Sequence, residues 1–305
     1  MHNNQTLSIL PARKFPVGSG FKPEYLISIN VFKNIASDLY FMETTRFKRQ
    51  ALYLKTTVSA VKDVSPHLRC ISLQNDLFKS IGPINPGAHF KLFIPKDASA
   101  AAIQPDMSSG RAIWPDMISK PVARTYTVRR INRDSGTLDV EFVMHGDNGP
   151  ASAWANRAVT GNELGIAIKT GKSFFWSDWY LLAGDETALP AIASMLEAMP
   201  ADKHGVALLE VGSVADILNI RSMSNITLRW FSRDGNPAEK SELLWNAMKS
   251  IKLPDPALGS RCVWIAGENS MVTQLRKYAA EQLRLSREEL RATAYWTAGL
   301  SEDIR

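Results

Sequence analysis

The 305-residue chain contains few of the residues that build metal centres or disulfide frameworks. Its two cysteines, Cys70 and Cys262, are far apart in sequence and form no CxxC pair. They cannot supply the four thiolates of an iron–sulfur cluster, nor a disulfide framework. The five histidines show neither an HExxH motif nor another ligand spacing. We therefore expect no protein-bound metal.

The sequence also lacks long apolar runs and dense blocks of one charge. No window of about 18 apolar residues is present, and the first residues lack the basic-then-apolar pattern of a signal peptide. The net charge of +6 comes from scattered residues, 36 basic against 30 acidic. This balance suits a small anionic ligand, such as a flavin or nicotinamide phosphate, better than nucleic acid. We expect a cytoplasmic monomer without a membrane span.

Three regions follow one another along the chain. Residues 1–50 combine a polar start, a Pro/Gly-rich loop and a segment with helical spacing, and we treat them as an extension of unknown role. Residues 51–175 contain short alternating segments separated by Pro, Gly and Asn, which predicts a six-stranded antiparallel barrel interrupted by a loop at 96–121. One such strand places four apolar residues on one face: Leu138, Val140, Phe142 and Met144.

Residues 176–305 alternate strands with helices. DWYLLAGD reads as a buried strand, and ALPAIASMLEAM as a helix with one apolar stripe of Leu189, Ile192, Leu196 and Met199. VALLEVG, ITLRWFSR and RCVWIAGE read as further strands, with helices in SELLWNAMKSI and MVTQLRKYAAEQL. The alternation predicts a Rossmann-like domain with an open parallel sheet.

The stretch RTYTVR (124–129) carries chemistry on both faces of a predicted strand. Because side chains alternate, Arg124 and Tyr126 point one way, and Thr127 and Arg129 the other. An arginine, an aromatic ring and a hydroxyl could contact the diphosphate, the planar ring and a ring nitrogen of a flavin. Taken alone, the stretch is read equally well as a strand with an exposed basic face.

The stretch HGDNGPASAWANRA (145–158) predicts a strand end, a turn and a helix. Pro150 suits the first helical position, which leaves the N–H groups of Ala151 and Ser152 at the helix N-terminus, a natural seat for a diphosphate. Alone, an ordinary capped helix is the favoured interpretation. Beside the RTYT strand, the two motifs together favour a flavin site.

By contrast, GIAIKTGKS (165–173) is not a phosphate-binding P-loop. It has five residues between Gly165 and Gly171 where the motif has four, and no helix is predicted after it.

Two turns in the second region are candidate nicotinamide-binding segments. In AGDETALPAI (183–192), Gly184 permits close backbone approach and Thr187 can cap a helix. Asp185 and Glu186 favour the helix dipole but would repel a diphosphate packed on them. In WFSRDG (230–235), Ser232 and Arg233 could hold a 2′-phosphate, although a surface arginine in a turn explains the pattern equally well.

With these motifs in order, the chain resembles the siderophore-interacting proteins, FAD-containing ferric-siderophore reductases related to ferredoxin–NADP reductases. The matching stretches are PHLRCISL (66–73), HFKLFIP (89–95), RTYTVRR (124–130), FVMHGDNGPASAWA (142–155), WYLLAGDETALPAIASMLE (179–197), VWIAGE (263–268) and AYWTAG (294–299).

The resemblance implies a cofactor, a substrate and an electron donor. FAD would be held by Arg124, Tyr126, Thr127, His145, Asp147, Gly149, Ala151 and Ser152. The donor would be NADPH or NADH, bound at Gly184, Asp185, Glu186, Thr187, Ser232 and Arg233, or a ferredoxin-type protein. The anionic ferric siderophore would meet Lys91, with Arg129 as a second cation.

The chain departs from the family near its C-terminus, where the usual Tyr-Trp-Arg reads Tyr295-Trp296-Thr297. One expected cation is missing, and Arg291 or Lys277 could compensate. Two other functions stay open: a general flavin reductase, and a carrier that binds the ferric chelate without reducing it.

Overall fold

The computed structural model describes residues 51–97, 100–109, 112–147, 149–170 and 176–300. The predicted extension at 1–50, with its helix-like segment, lies outside the described residues. The described residues form a seven-stranded sheet followed by a five-stranded sheet. In this part of the chain, no helix has the length and apolar character needed to cross a membrane.

The first sheet is antiparallel at every pairing, in the order β4-β3-β7-β1-β2-β6-β5. Its strands are β1 (Leu52–Ser65), β2 (Leu68–Gln74), β3 (His89–Ile94), β4 (Val122–Thr127), β5 (Arg130–Asn132), β6 (Thr137–Val143) and β7 (Glu163–Ile168). Residues 101–109 and 112–121 form no helix or strand of this list, as predicted for the insert, although Asp106 and Ile113 make a single bridge.

The strand count differs from the predicted six for two reasons. The stretch RTYTVRRI is not one strand, because the chain leaves the β3 edge after Thr127 and joins β6 as the short β5. The apolar segment Glu163–Ile168, noticed in the sequence only for its false P-loop, is the central strand β7 between β1 and β3. A central strand is covered on both faces, so it lacks the alternation that marks a half-buried strand.

One core fills the first sheet. Leu138, Val140 and Phe142 of β6 are completely buried, which confirms the predicted apolar face. Helix α1 (Pro150–Arg157) closes this core with Trp154, whose ring lies 5.8 Å from that of Phe142. The helix that was predicted to begin at Pro150 is therefore anchored to the barrel by its own side chains.

The second sheet is parallel at every pairing, in the order β10-β9-β8-β11-β12. Its strands are β8 (Trp179–Gly184), β9 (His204–Val211), β10 (Asn225–Ser232), β11 (Arg261–Glu268) and β12 (Leu290–Trp296), with helices α2 (Leu189–Ala198), α3 (Leu243–Lys249) and α4 (Asn269–Glu281). The predicted α2 stripe of Leu189, Ile192, Leu196 and Met199 is buried. The parallel alternating fold is confirmed, and β12 is a strand that the sequence analysis did not identify.

The barrel and the parallel sheet are joined by polar contacts as well as by packing. The N–H of Gly87 donates to Ser194 Oγ of α2 at 2.8 Å, and Arg129 forms an ion pair with Glu197 of the same helix. Leu68 of the barrel packs in the core of the second domain. These contacts hold α2 and the core of the second domain against the barrel.

Candidate functional site

Strand β4 carries the predicted flavin-binding side chains. Arg124 lies opposite Leu92 and Tyr126 opposite Phe90 in the antiparallel register. Directly opposed residues share a face, and both partners are core residues. The Tyr126 ring lies 4.5 Å from the Phe142 ring. Arg124 and Tyr126 therefore share one face, as the alternation predicted.

The opposite face of β4 carries Thr125 and Thr127. Lys91 lies opposite Thr125 on β3, and its Nζ donates to Thr125 Oγ1 at 2.6 Å. Lys91 is exposed, whereas Thr127 is buried. Lys91 therefore presents a cation on the face that also carries Thr127.

The N-terminus of α1 has the features of an anion seat. Gly149, in the N-cap position, has φ of +99°, a conformation that favours glycine, and it has no side chain that could cap the helix. The first intrahelical bond runs from Ala153 N to Gly149 O at 3.1 Å. The N–H groups of Ala151 and Ser152 thus belong to the first turn, where the helix itself supplies no acceptors.

Two predicted flavin-binding side chains, Ser152 and Asp147, bond other residues of the protein at this turn. Ser152 Oγ donates to Gly146 O at 2.6 Å and accepts from His145 N at 3.3 Å. Asp147 forms an ion pair with Arg157 at 2.9 Å. These side chains fix the turn, so contact with a diphosphate would fall to the backbone N–H groups. His145 is exposed at the same turn.

The turn after β8 is packed tightly against the protein itself. A Cβ added to Gly184 would lie 2.5 Å from Ala188 Cβ and 2.8 Å from Ala266 O. Gly184 is therefore required for the close approach of strand and helix. Thr187 does not cap α2, because the N-cap position is Ala188 and no side chain caps it.

Asp185 is the centre of this turn. Its Oδ1 accepts from Thr187 N at 2.9 Å and Thr187 Oγ1 at 2.5 Å, and its Oδ2 accepts from Glu268 N at 2.8 Å and Trp296 Nε1 at 2.9 Å. Burial, together with the charge of Glu186, raises the pKa of Asp185. Asp185 therefore ties together the carboxyl ends of β8, β11 and β12.

Arg233 is held by two carboxylates. Its guanidinium pairs with both oxygens of Glu186, at 2.5 and 2.7 Å, and with Glu210 at 3.2 Å. Burial alone would lower the pKa of Arg233, but the hydrogen bonds and charges of both partners outweigh burial and raise it. Ser232 Oγ donates to Asp234 Oδ1 at 2.7 Å. Both predicted 2′-phosphate ligands thus have partners within the protein.

Strand β12 brings the two halves of the site together. The Tyr295 side chain lies beside that of Thr127, and burial raises the pKa of Tyr295 to about 12, so its hydroxyl stays protonated at neutral pH. The next residue, Trp296, donates to Asp185. The RTYT strand and the 184–187 turn are therefore linked through two adjacent aromatic residues. Sequence reasoning had included them only as part of the family resemblance.

The structure places Arg129 in a domain contact. Its Nη1 and Nη2 bond the two Glu197 oxygens at 2.8 and 2.6 Å, and its Nε lies 3.2 Å from Glu141 Oε1. The side chain is only 11% exposed. This geometry favours a structural role over the predicted contact with a chelate.

Neither residue suggested as a replacement for the missing C-terminal cation lies near Trp296. Arg291 is five residues earlier on β12, about 16 Å away at the usual strand rise. Lys277 is eight residues into α4, which begins at the carboxyl edge, so it lies about 12 Å along the helix. The spacing along both elements therefore argues against compensation by either residue.

A cavity of about 240 Å³ lies where the barrel meets the carboxyl edge of the parallel sheet. His67 and His145 line it from the barrel, and Glu186, Asp216 and Arg233 line it from the second domain. Asp216 accepts hydrogen bonds from Ser65 Oγ, Ser213 Oγ and the backbone and side chain of His67. Sequence reasoning missed this cluster because its members lie far apart along the chain.

Among the residues that the structure describes, no cluster of three or more His, Cys, Asp or Glu side chains could hold a metal ion. Cys70 and Cys262 are both unpaired thiols.

Comparisons with known proteins identify the class and then the family. Residues 57–172 match the siderophore-interacting FAD-binding domain, and residues 177–299 match the siderophore-interacting protein model. The chain is 34% identical over 244 residues to the ferric vibriobactin reductase ViuB of Vibrio cholerae, covering 79% of this chain and 88% of that protein.

Two further relatives cover most of the chain. The NADPH-dependent ferric-chelate reductase of Escherichia coli is 27% identical over 259 residues, covering 83% of this chain and 96% of that protein. The crystal structure of the siderophore-interacting protein SipS from Aeromonas hydrophila superposes with a TM-score of 0.71 at 32% identity, covering 83% of this chain and 95% of that one.

The two family matches divide the chain as the fold does: the antiparallel first sheet matches an FAD-binding domain, and the parallel second sheet matches the siderophore-interacting protein model. The chain belongs to the siderophore-interacting protein family. The residues present fit FAD. The Arg124 guanidinium and the uncapped α1 N-terminus at Gly149 suit its diphosphate, and the half-buried Tyr126 ring suits its planar ring.

Proposed function

We propose that this protein is an FAD-dependent ferric-siderophore reductase that releases iron as iron(II). The observation that carries the proposal is the link through Tyr295 and Trp296, which brings the RTYT strand beside the 184–187 turn. The names of the relatives support it, since they include a ferric vibriobactin reductase and an NADPH-dependent ferric-chelate reductase.

Each proposed FAD-binding residue has a distinct task. Arg124 and the first-turn N–H groups of α1 would bind the diphosphate, and charge-assisted bonds from arginine are the stronger kind. Tyr126 would pack on the ring, and Thr127, beside Tyr295, would bond its edge. When bound, FAD would supply the chemistry that divides the two electrons of a hydride into single electrons for iron. No side chain is required as nucleophile or general base.

Lys91 is the proposed contact for the ferric chelate. It is exposed, and the β3–β4 register places it on the face that carries Thr127. Its charge would attract an anionic chelate. Iron(II) binds hard oxygen chelators more weakly than iron(III), so reduction at this position would release the metal.

The proposed electron donor is NADPH, bound weakly at the 184–187 turn and at Ser232 and Arg233. Glu186 and Glu210 offset the charge of Arg233, which would reduce its attraction for a 2′-phosphate. NADH and a ferredoxin-type protein are the alternative donors. We propose that the chain acts in the cytoplasm and as a monomer.

The test begins with the absorbance spectrum of the purified chain and the identity of the flavin it releases. Ferric siderophore, NADPH and an iron(II)-trapping chelator are then added, and iron(II) formation is followed. FAD release with donor-dependent iron(II) formation would support the proposal. Flavin turnover without iron reduction would indicate a general flavin reductase, and siderophore binding without flavin would indicate a carrier.

A further inference from the structure

The insert between β3 and β4 is not used by any step proposed so far. Its residues 116–119, called the insert turn below, present Met117 and Ile118 to solvent, at 73% and 86% exposed. Ile113 of the same insert is also exposed. Apolar residues scattered singly over a surface are ordinary, whereas contiguous ones mark contact surfaces. The insert turn is therefore a candidate contact.

Several polar groups of the insert turn have partners within the protein. Asp116 Oδ1 accepts from Ser119 N at 2.6 Å, and Asp116 Oδ2 accepts from Ser119 Oγ at 2.5 Å. Lys96 Nζ donates to the carbonyl oxygens of Met117 and Ile118, at 3.3 and 2.7 Å. The carbonyls of both exposed apolar residues thus have a donor other than water.

Aromatic residues fix the insert to the face of the barrel sheet away from its core. The centre of the Trp114 ring lies 5.1 Å from that of Phe93 and 6.3 Å from that of Tyr53. Tyr53 Oη donates to Ile103 O at 2.6 Å. Gly165 of β7 makes room for this tyrosine, because a Cβ there would lie 2.1 Å from the Tyr53 hydroxyl. These contacts hold the insert in place just before the insert turn.

The apolar area at the insert turn is small for a protein partner. Burying one side chain such as Met117, Ile118 or Ile113 removes roughly 60–120 Å² of apolar surface from water. A stable protein interface takes about 800 Å² from each partner. A lipid surface has no such requirement, because single apolar side chains can enter the boundary between headgroups and acyl chains.

Two further features fit a lipid surface. The bilayer interior offers no hydrogen bonds to backbone carbonyls, and Lys96 already supplies them. Lys96 and Lys120 are exposed on either side of the insert turn in sequence, where they would meet anionic headgroups. Two acidic residues lie close by: Asp97 is exposed, and the Asp116 carboxylate is bonded to Ser119. The attraction of the lysines is therefore partly offset, and the net charge of +6 on the whole chain adds to it.

We propose that the insert turn docks this protein on a membrane surface that contains anionic lipids, with Met117 and Ile118 entering the boundary between headgroups and acyl chains. The docking is peripheral and reversible, because two apolar side chains and a few charges give weak binding. It goes beyond the proposed reduction and does not depend on bound flavin.

The test is sedimentation of the full-length chain with two kinds of vesicle, phosphatidylcholine alone and equal parts of phosphatidylcholine and phosphatidylglycerol. Met117→Ser combined with Ile118→Ser should weaken binding to the mixed vesicles by about tenfold or more. Lys120→Gln should weaken binding to the mixed vesicles by about fivefold and leave binding to phosphatidylcholine unchanged. Leu258→Ser is the matched control, because Leu258 is 82% exposed in the second domain.

The urea midpoints of these variants should match that of the unmodified chain, since the changed side chains are exposed. No binding of the unmodified chain to mixed vesicles, or an equal loss in Leu258→Ser, would overturn the proposal. Binding that the double substitution leaves unchanged would show attraction by net charge alone and would also overturn it. A dimer that the double substitution abolishes, without vesicle binding, would assign the patch to a second copy instead. Failure of the proposed function is distinguishable, because a chain that reduces no iron would still bind vesicles through the insert turn.

Discussion

On the barrel side of the site, the predicted ligand contacts are a helix N-terminus and the two faces of strand β4. On the second-domain side, the predicted contacts bond one another: Asp185 accepts from Thr187 and Trp296, and Arg233 pairs with Glu186 and Glu210. On the barrel side, a bound ligand anion would form additional hydrogen bonds. On the second-domain side, it would have to compete with the carboxylates that already pair with Arg233. The comparison suggests a tightly held cofactor on the barrel and an exchangeable donor on the parallel sheet.

The largest effect on stability is expected in the second domain, where Arg233 pairs with two carboxylates. Arg233→Ala would leave Glu210, which is buried, and Glu186 without their shared cation. Breaking a buried ion pair from one side typically costs about 3–5 kcal/mol, which should appear as a lower urea midpoint. Arg229→Ala, an exposed arginine on the same strand, should change stability little. A stable Arg233→Ala variant with weakened NADPH binding would reverse the comparison and make Arg233 a ligand contact.

The next effect tests the barrel side. Arg124→Ala should weaken FAD binding by about 1.5–3 kcal/mol, the range for hydrogen bonds to charged groups. FAD affinity of the flavin-free chain, measured by titration, gives the value. Arg130→Ala is the control, because its side chain is 60% exposed and lies beyond the strand that carries the motif. Equal losses in both variants would show that general positive charge, and not the motif, retains the cofactor.

A smaller effect distinguishes two cations of the barrel, the exposed Lys91 and the paired Arg129. Lys91→Ala should raise KM for an anionic ferric siderophore about fivefold, since two charges 4 Å apart interact by about 1 kcal/mol in water. High salt should reduce the difference by screening. FAD reduction by NADPH should be unchanged. Lys62→Ala is the control, an exposed lysine on β1; if it raises KM equally, Lys91 has no specific role.

The link between the two sides should respond to loss of a single hydroxyl. Tyr295→Phe removes the hydroxyl that lies beside Thr127 and keeps the ring, so we expect stability to fall by about 1 kcal/mol or less. Rapid-mixing measurements should show slower flavin reduction by NADPH if Thr127 loses its fixed position. Unchanged reduction would mean that packing alone aligns the two sides.

The smallest expected effect is a dependence of the domain contact on pH. Hydrogen bonds from Ser65, His67 and Ser213 overcome burial and hold the pKa of Asp216 below its ordinary 3.8. A carboxyl with a lowered folded-state pKa stabilises the fold above its unfolded pKa and loses that contribution as pH falls through the folded value. Unfolding measured between about pH 6 and pH 3 should show a smaller acid loss in Asp216→Asn than in the unmodified chain. Parallel curves would show that Asp216 does not couple to folding.

Local patterns in the sequence were enough to predict the fold class of both domains, the strand that carries RTYT (124–127) and the helix that begins at Pro150. The alternation at Leu138 to Met144 and the stripe from Leu189 to Met199 each depend on residues close in sequence. Strand β7 was missed because burial on both faces removes its alternation. The pairing of Arg129 with Glu197, and of His67 with Asp216, depends on how the domains pack. Such long-range partners have no signature in a single sequence.

The state of the two unpaired cysteines matters for a protein that releases iron(II). Burial raises the pKa of Cys70 to about 12 and that of Cys262 to about 11, so at neutral pH both remain thiols. The thiolate is the form that binds metals and reacts with oxidants. A protein that releases iron(II) would therefore not retain the metal on either thiol, and neither thiol would react readily with an oxidant. Burial would thus protect both thiols from the iron(II) that the reductase releases.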